Sequence, residues 1–300
     1  VYDLIIIGAG PAGMTAGVFA ARKGLKAAII SKDFGGQANW TSDIENYMGF
    51  TEIDGEALMN RFEAQVKEHR LDRIQTDVQG VRIDSASFSV KTVDQGEYMA
   101  RTVIVTTGKR PRTLNVPGEN EYRNKGVSYC STCDGPLFRS VPVAVVGGGN
   151  SALKAVFDLE HYASEIHLIS LTELTADAVF QERLRSISKV KQYIKHTVTE
   201  IKGTKLVEGI VVEKVETKEQ FELPVQGVFV EIGLEPNTEF LEGLVEKAAN
   251  GEIKIDCECQ TNIPGLFAAG DATTVPEKQI IIAAGEGAKA AIKAWEQLLQ

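Results

Sequence analysis

The chain opens on an uninterrupted apolar run, Leu4-Ile5-Ile6-Ile7, the pattern of a parallel strand covered on both faces. Six small residues break it, Gly8-Ala9-Gly10-Pro11-Ala12-Gly13, and a helix of small side chains is expected to about Lys23, with Gly24 as its stop. Residues 26–31 return to a strand pattern. Asp54 is placed to cap a helix whose Leu58, Phe62 and Val66 recur at i, i+4 and i+8. Three short strand-like stretches then lead to a longer one over residues 101–108, ending in Thr107-Gly108, where a turn or a close backbone approach to a ligand needs glycine. Lys109-Arg110-Pro111-Arg112 interrupts the pattern and marks a domain boundary.

A second strand–glycine–helix unit follows. Val143-Ala144-Val145-Val146 runs into Gly147-Gly148-Gly149-Asn150-Ser151-Ala152 and a helix to about Tyr162. Short strands continue to about Glu231, and Glu235-Pro236-Asn237 reads as a return crossing. Strand character resumes from Glu252 and reaches Leu266-Phe267-Ala268-Ala269-Gly270-Asp271, before a last helix from Gln279 to Leu299. The expected architecture is α/β, with two Rossmann-like dinucleotide-binding domains, the second inserted into the first. The boundaries fall at 1–111 with 242–300 for the first and 112–241 for the second. In each glycine turn a pyrophosphate can approach backbone N–H groups at a helix N-terminus. The alternative is a turn that only packs helix on sheet.

Three hundred residues suit about two ordinary domains. The apolar share of 43% and charged share of 24% are those of a soluble globular protein. No apolar run reaches the ~18 residues that cross a bilayer, so no membrane partner is expected. No basic segment precedes the first apolar run, and Val1-Tyr2-Asp3 leads directly into a strand, so a cytoplasmic protein without a secretory signal is expected. A net charge of −9 without long Lys or Arg blocks argues against nucleic acid as partner. The four histidines, at 69, 161, 167 and 196, show no ligand or triad spacing, and His69 is expected to be solvated.

Four cysteines do not make a disulfide scaffold, and one close pair in a cysteine-poor chain fits a redox role in a reducing compartment. That pair is Cys130-Ser131-Thr132-Cys133, followed by Asp134. Two thiols at this spacing can close and reopen a small disulfide ring, and the adjacent acid can supply or collect the proton that thiolate chemistry requires. The alternative is half a zinc site completed by Cys257 and Cys259. Alternate strand residues do not converge on a distant turn, so these two read as packing or surface thiols.

Taken in order, the segments 8–13, Gly36-Gln37, 130–134, 147–152 and Gly270-Asp271 resemble those of low-molecular-weight thioredoxin reductases over nearly the whole chain. Within that family, segments 21–24, 34–37, 43–47, 133–138, 274–282 and 285–289 are most similar to the flavoprotein subunits of alkyl hydroperoxide reductases. The resemblance implies FAD in the first domain, its pyrophosphate on Gly8, Gly10 and Gly13, with Pro11 and Ala12 completing the turn. Gly36, Gln37 and Asn46 would lie near the flavin ring, Thr107 and Gly108 beside the cofactor, and Gly270 and Asp271 at the ribityl–phosphate chain. Lys278, Gln279 and Ile280 would stand at the start of the last helix, whose positive end stabilises charge on the reduced flavin. Asp271 could instead cap a helix, and Asn46 could be a turn residue. Trp40 could cover the flavin or anchor a loop. Ser31, with Asp33 beyond, stands where an acid would grip the adenosine ribose.

The resemblance further implies that electrons pass from flavin to the Cys130–Cys133 disulfide, with Cys133 nearer the flavin and Asp134 as general acid–base. A thioredoxin-like or glutaredoxin-like protein would accept them, and rotation about the domain connection would alternate the two partners. A homodimer is expected. The chain begins at the flavin domain, so the acceptor disulfide is expected on a separate protein.

A nicotinamide dinucleotide would use Gly147, Gly149 and Ala152. After the predicted strand 166–169, NADPH-dependent members of the family carry a His-Arg-Arg run and a later Arg for the 2′-phosphate. Here the positions read Ser170-Leu171-Thr172, with Ala176 near the later one. Losing two charge-assisted hydrogen bonds of roughly 1.5–3 kcal/mol each weakens NADPH on the order of 100-fold or more. NADH sites place an acid at this strand end, but Ser170 is none and Glu173 comes late. NADH is favoured over NADPH. Reduced ferredoxin is an alternative donor: a couple near about −400 mV lies about 6 kcal/mol above a thioredoxin-like one for two electrons. Lys109, Arg110 and Arg112 form a patch that could attract it, although the surviving glycine turn and the net charge speak against it. A non-enzymatic flavoprotein redox sensor with a decayed second site is a further reading.

Overall fold

A computed structural model describes residues 1–41, 44–84 and 87–299. The chain forms two compact units, Val1–Arg110 with Glu235–Gln300, and Pro111–Leu234. In the first unit β1 (Tyr2–Ala9), α1 (Pro11–Arg22) and β2 (Ala27–Phe34) make a βαβ turn with β1 and β2 parallel. Neighbouring strand residues face opposite ways, so the complete burial of Leu4, Ile5 and Ile6 means that both faces are covered. Leu4 and Ile6 enter a core with Ala290 and Ala294, whereas Ile5 and Ile7 enter another with Val90 and Leu266. Pro11 opens α1, where its missing N–H costs nothing, and Gly24 follows the cap at φ +76°. In α2 (Gly55–Lys67), Asp54 caps as expected, accepting the Ala57 N–H at 2.9 Å. With β3 (Asp72–Gln75), β4 (Val78–Asp84), β5 (Ser87–Thr92) and β6 (Glu97–Val105), the strand order is β3-β2-β1-β6-β5-β4. β6 runs parallel to β1 and antiparallel to β5.

The chain leaves on β7 (Lys109–Pro111). The second unit then builds β8 (Val127–Ser128), α3 (Ser131–Asp134), β9 (Pro142–Val146), α4 (Asn150–Leu159), β10 (Glu165–Ser170), α5 (Ala178–Arg185) and β11 (Val190–Ile194). An antiparallel trio follows, β12 (His196–Gly203), β13 (Val207–Lys214) and β14 (Gln220–Leu223), and then β15 (Gly227–Val230). The parallel sheet has the order β11-β10-β9-β15-β8. Val143 and Val145 pack under α4 with Leu153 and Val156, while Ala144 and Val146 face Ile210 and Val212 of the trio. The sequence pattern reads as strands where α5 lies. The reason is its thin apolar stripe, with Leu184 buried and Phe180 set edge-on to Phe157.

The return strand, β16 (Leu234–Pro236), pairs with β7. The return crossing thus lies at Glu235-Pro236-Asn237, as expected, and the second domain boundary falls at 234–235 rather than at 241–242. The strand expected from Glu252 is mostly turn, with Ile253 bridging Lys247 and Thr273, until β17 (Leu266–Ala268) joins β6 in parallel. The last helix, α6 (Ile280–Leu298), packs on α1 so closely that a Cβ on Gly287 would lie 2.0 Å from the Ala12 carbonyl oxygen. The α/β architecture of two dinucleotide-binding domains, one inserted into the other, is thus the one observed. Among the described residues no helix is long and apolar enough to cross a membrane.

Candidate active site

In the first unit the turn between β1 and α1 is bare by necessity. Gly8 has φ +104°, and a Cβ on Gly13 would stand 1.9 Å from the Gly8 carbonyl oxygen. Gly10 meets Gly36, whose Cβ would lie 3.7 Å from the Gly10 Cα. Gly108 follows the end of β6 at φ +64°, and the Gln37 amide donates to the Lys109 carbonyl beside it. Thr107 Oγ1 donates to the Asn237 carbonyl at 2.6 Å, and Asn237 returns its amide N–H to the Thr107 carbonyl at 2.9 Å. Gly270 donates its N–H to Glu286 Oε2 at 2.8 Å, and a Cβ there would approach that of Ala12 at 3.2 Å. Asn46 Nδ2 donates to Gln279 Oε1 at 3.0 Å, at the cap position just before Ile280 opens α6. These contacts bring Gly8, Gly10, Gly13, Gly36, Gln37, Thr107, Gly108 and Gly270 into one cradle, and separately join Asn46 to Gln279. Asp43 and the Trp40 side chain lie outside the described residues.

Beside this cradle, Glu252 Oε1 receives the ammonium groups of both Lys109 and Lys278, the latter at 3.2 Å. Burial would raise the Glu252 carboxyl, but the hydrogen bonds from Lys109 and Asn250 and the charge of Lys278 hold it below the usual range. Burial pushes the Asp271 carboxyl up, opposed by the charges of Lys278 and Lys109. The Lys278 ammonium is pushed down by burial and then by Lys109. Of Lys109, Arg110 and Arg112, read as a patch for ferredoxin, Lys109 is therefore not at the surface. Lys109 is buried on Glu252, and Arg110 is bonded to Glu239 at 2.6 Å and Glu235 at 3.1 Å.

In the second unit Cys130 and Cys133 form a disulfide across α3, and Cys130 Sγ also accepts the Cys133 N–H at 3.2 Å. Ser128, at the end of β8, donates its hydroxyl to Asp134 Oδ2 at 2.6 Å and accepts the Cys130 N–H at 3.1 Å. One hydroxyl therefore links the acid to the backbone of the redox pair. Cys257 and Cys259 are free thiols, the first exposed and the second buried. Burial, and then Glu286, push the Cys259 thiol up to about 11, which keeps it protonated and inert.

The second glycine turn repeats the first. Gly147 lies against Glu231, just past β15, and Ala152, and Gly149 caps α4. Ser170 ends β10 buried, its hydroxyl donated to the Thr172 carbonyl at 2.8 Å. A Cβ on Gly148 would stand 2.2 Å from that hydroxyl oxygen. Ala176 is buried, Leu171 is exposed, and the nearby Lys195 is shared by Glu173 and Glu216, each at 3.5 Å. Two groups here escaped sequence reasoning. One is Ser128. The other is Glu231, just past the end of β15, whose carboxylate accepts the Ser151 hydroxyl. The signal that could have found Glu231 is its place at a parallel strand's carboxyl end, beside a glycine turn, where open α/β sheets bind ligands.

Two glycine cradles on two α/β units, one of which carries a closed Cys-x-x-Cys ring, define a dinucleotide-dependent disulfide oxidoreductase. The chain belongs to the pyridine nucleotide-disulphide oxidoreductase family, whose model matches residues 2–295, and with that membership come FAD and a nicotinamide nucleotide as cofactors. It is 43% identical over 304 residues to an alkyl hydroperoxide reductase subunit of Pseudomonas putida, covering all of this chain and 58% of that protein. It is 42% identical over 301 residues to an NADH dehydrogenase of Bacillus subtilis (strain 168), covering all of this chain and 59% of that one. The chain therefore spans less than two thirds of the length of either relative. The crystal structure of thioredoxin reductase from Streptococcus pyogenes MGAS5005 matches with a TM-score of 0.93 at 37% identity, over 99% of this chain and 98% of that one.

Proposed function

We propose that the chain is an FAD-dependent disulfide reductase that takes electrons from NADH and passes them through Cys130 and Cys133 to the disulfide of a thioredoxin-like or glutaredoxin-like protein. The observation that carries this reading is the Cys130–Cys133 disulfide with Asp134 held beside it through Ser128. Gly8, Gly10, Pro11, Ala12 and Gly13 would hold the FAD pyrophosphate, with Gly36, Gln37, Asn46, Thr107 and Gly108 toward the ring. Gly270 and Asp271 would meet the ribityl chain, and Lys278, Gln279 and Ile280 the end nearest α6. A cradle with no room for a Cβ at Gly8 and Gly13 fits a pyrophosphate approaching bare backbone. FAD, when bound, supplies a two-electron carrier.

Opening the Cys130–Cys133 bond takes up two electrons and two protons. Asp134 is placed to deliver or collect one of those protons, with Ser128 fixing its carboxylate. One thiolate then attacks the acceptor disulfide, a mixed disulfide forms, and the second thiol closes the ring and frees the reduced acceptor. Gly147, Gly149 and Ala152 shape the turn for a dinucleotide. At the end of β10 the hydroxyl of Ser170 and the doubly paired Lys195 offer no grip comparable to an arginine pair for a 2′-phosphate, which supports NADH over NADPH. The Bacillus subtilis relative, by its name, uses the same donor.

Anaerobic bleaching of the bound flavin by NADH, NADPH and reduced ferredoxin, run in parallel, tests the donor. NADH should bleach it fastest; a wide margin in favour of NADPH or of ferredoxin overturns that choice. In the same assay with a thioredoxin-like acceptor, Cys133→Ser should keep its FAD and lose turnover by about 10³-fold or more. Undiminished turnover in that variant overturns the thiol mechanism.

A further inference from the structure

Glu231 has no part in the scheme above, yet it is built into the second cradle. Its N–H donates to the Val146 carbonyl at 2.8 Å, joining β15 to the end of β9. Its own carbonyl lies so near the glycine turn that a Cβ on Gly147 would be 2.3 Å away. Its carboxylate accepts the hydroxyl of Ser151, in the first turn of α4, and the backbone N–H of Ser131, at the start of α3, favours its charged form. The first turn of α4, with its unpaired N–H groups and the Ser151 hydroxyl, is where a dinucleotide's diphosphate would seat. Ionised Glu231 is an anion already holding one of those donors.

We propose that Glu231 gates the dinucleotide site: ionised, it occupies Ser151 and turns an incoming diphosphate away; protonated, it yields the site. This rests on the reading of the α4 turn as the nicotinamide site. Burial pushes the Glu231 carboxyl up to about 7; the Ser151 and Ser131 bonds oppose that rise and the Asp158 charge adds to it. On α4, Asp158 accepts the hydroxyls of Ser131 and Thr132, each at 3.0 Å, and Lys154 lies over the Phe180 ring. On α3, Asp134 is engaged by Ser128, and β9 carries no ionisable residue. Asp158 is the charge that bears on Glu231, and it favours the proton.

If the nucleotide binds only the protonated form, its affinity is full below the Glu231 pKa and falls by at most about tenfold per pH unit above it. The test is calorimetric titration of the FAD-loaded full chain with NAD⁺, a non-reducing probe, at pH 6, 7 and 8 in buffers of different ionisation heat. The dissociation constant should rise about tenfold between pH 6 and pH 8, with uptake of nearly one proton on binding at pH 8. Glu231→Gln should flatten that profile and bind at pH 8 as the native chain does at pH 6. A flat profile in the native chain, or an equal slope in Glu231→Gln, overturns the inference and leaves the dinucleotide reading standing. Absence of binding by either protein at every pH overturns both. Should Glu231→Gln fail to fold, native proton uptake decides, and none at pH 8 overturns the inference.

Discussion

Glu252 carries more than a carboxylate usually does. Two lysines, Lys109 and Lys278, converge on its one oxygen, and all three side chains are largely buried. Removing one member of a buried ion pair leaves uncompensated charge and costs about 3–5 kcal/mol. Glu252→Gln should therefore destabilise the protein by about 3 kcal/mol or more and release FAD earlier, read by thermal unfolding followed through flavin fluorescence. Unchanged melting would mean that the two ammonium groups find other partners. The glycines, Cys130, Cys133 and Asp134 were legible in the sequence because their chemistry follows from residue type at short spacing. Glu252 and Ser128 were not, and Glu231 was marked only by its place at a strand end, not by its partner. Lys109 meets Glu252 across 143 positions and Ser151 meets Glu231 across 80, and no local pattern announces such a pair.

At the level of elements, the site depends on how α1 and α6 approach each other. Gly287 on α6 faces the backbone of Ala12, in the first turn of α1 and next to the glycine cradle. A methyl group there has nowhere to go, and overpacking of this kind costs about 1–3 kcal/mol. Gly287→Ala should lower stability by that amount and weaken FAD by pushing the α1 turn out of place, measured as melting temperature and as flavin content after gel filtration. Full flavin occupancy with native melting would show that the helices can part freely. The elements that frame both cradles were readable because a buried parallel strand and a small-residue helix leave distinct periods. α5 was misread because it buries only Leu184. The stretch after Glu252 was misread because its apolar residues serve isolated bridges rather than a ladder.

For the molecule as a whole, the raised carboxyls give stability a pH dependence. An acid whose folded pKa lies above its unfolded one still holds its proton after the unfolded chain has released it. Stability then falls as pH climbs from the ordinary 4.5 through about 7, the span set by Glu231. Asp271 and Glu286, raised chiefly by burial, act in the same sense, while the stability that Glu252, held low, contributes is lost as pH falls. Glu231→Gln should lose less stability than the native chain between pH 5 and pH 8, by at most about 3 kcal/mol, in denaturant titrations at both values. Equal losses would place the titrating group elsewhere. The two-domain order and the return crossing were legible from the repeated strand–glycine–helix unit and from Glu235-Pro236-Asn237, and the difference lay in drawing the second boundary at 241–242. That crossing pairs β16 with β7, so the inserted stretch starts and finishes on neighbouring strands, and every strand of the larger sheet comes from outside it. Such an arrangement makes the thiol-bearing segment a cassette: removing or replacing it opens the chain at one paired doorway and leaves the host sheet whole.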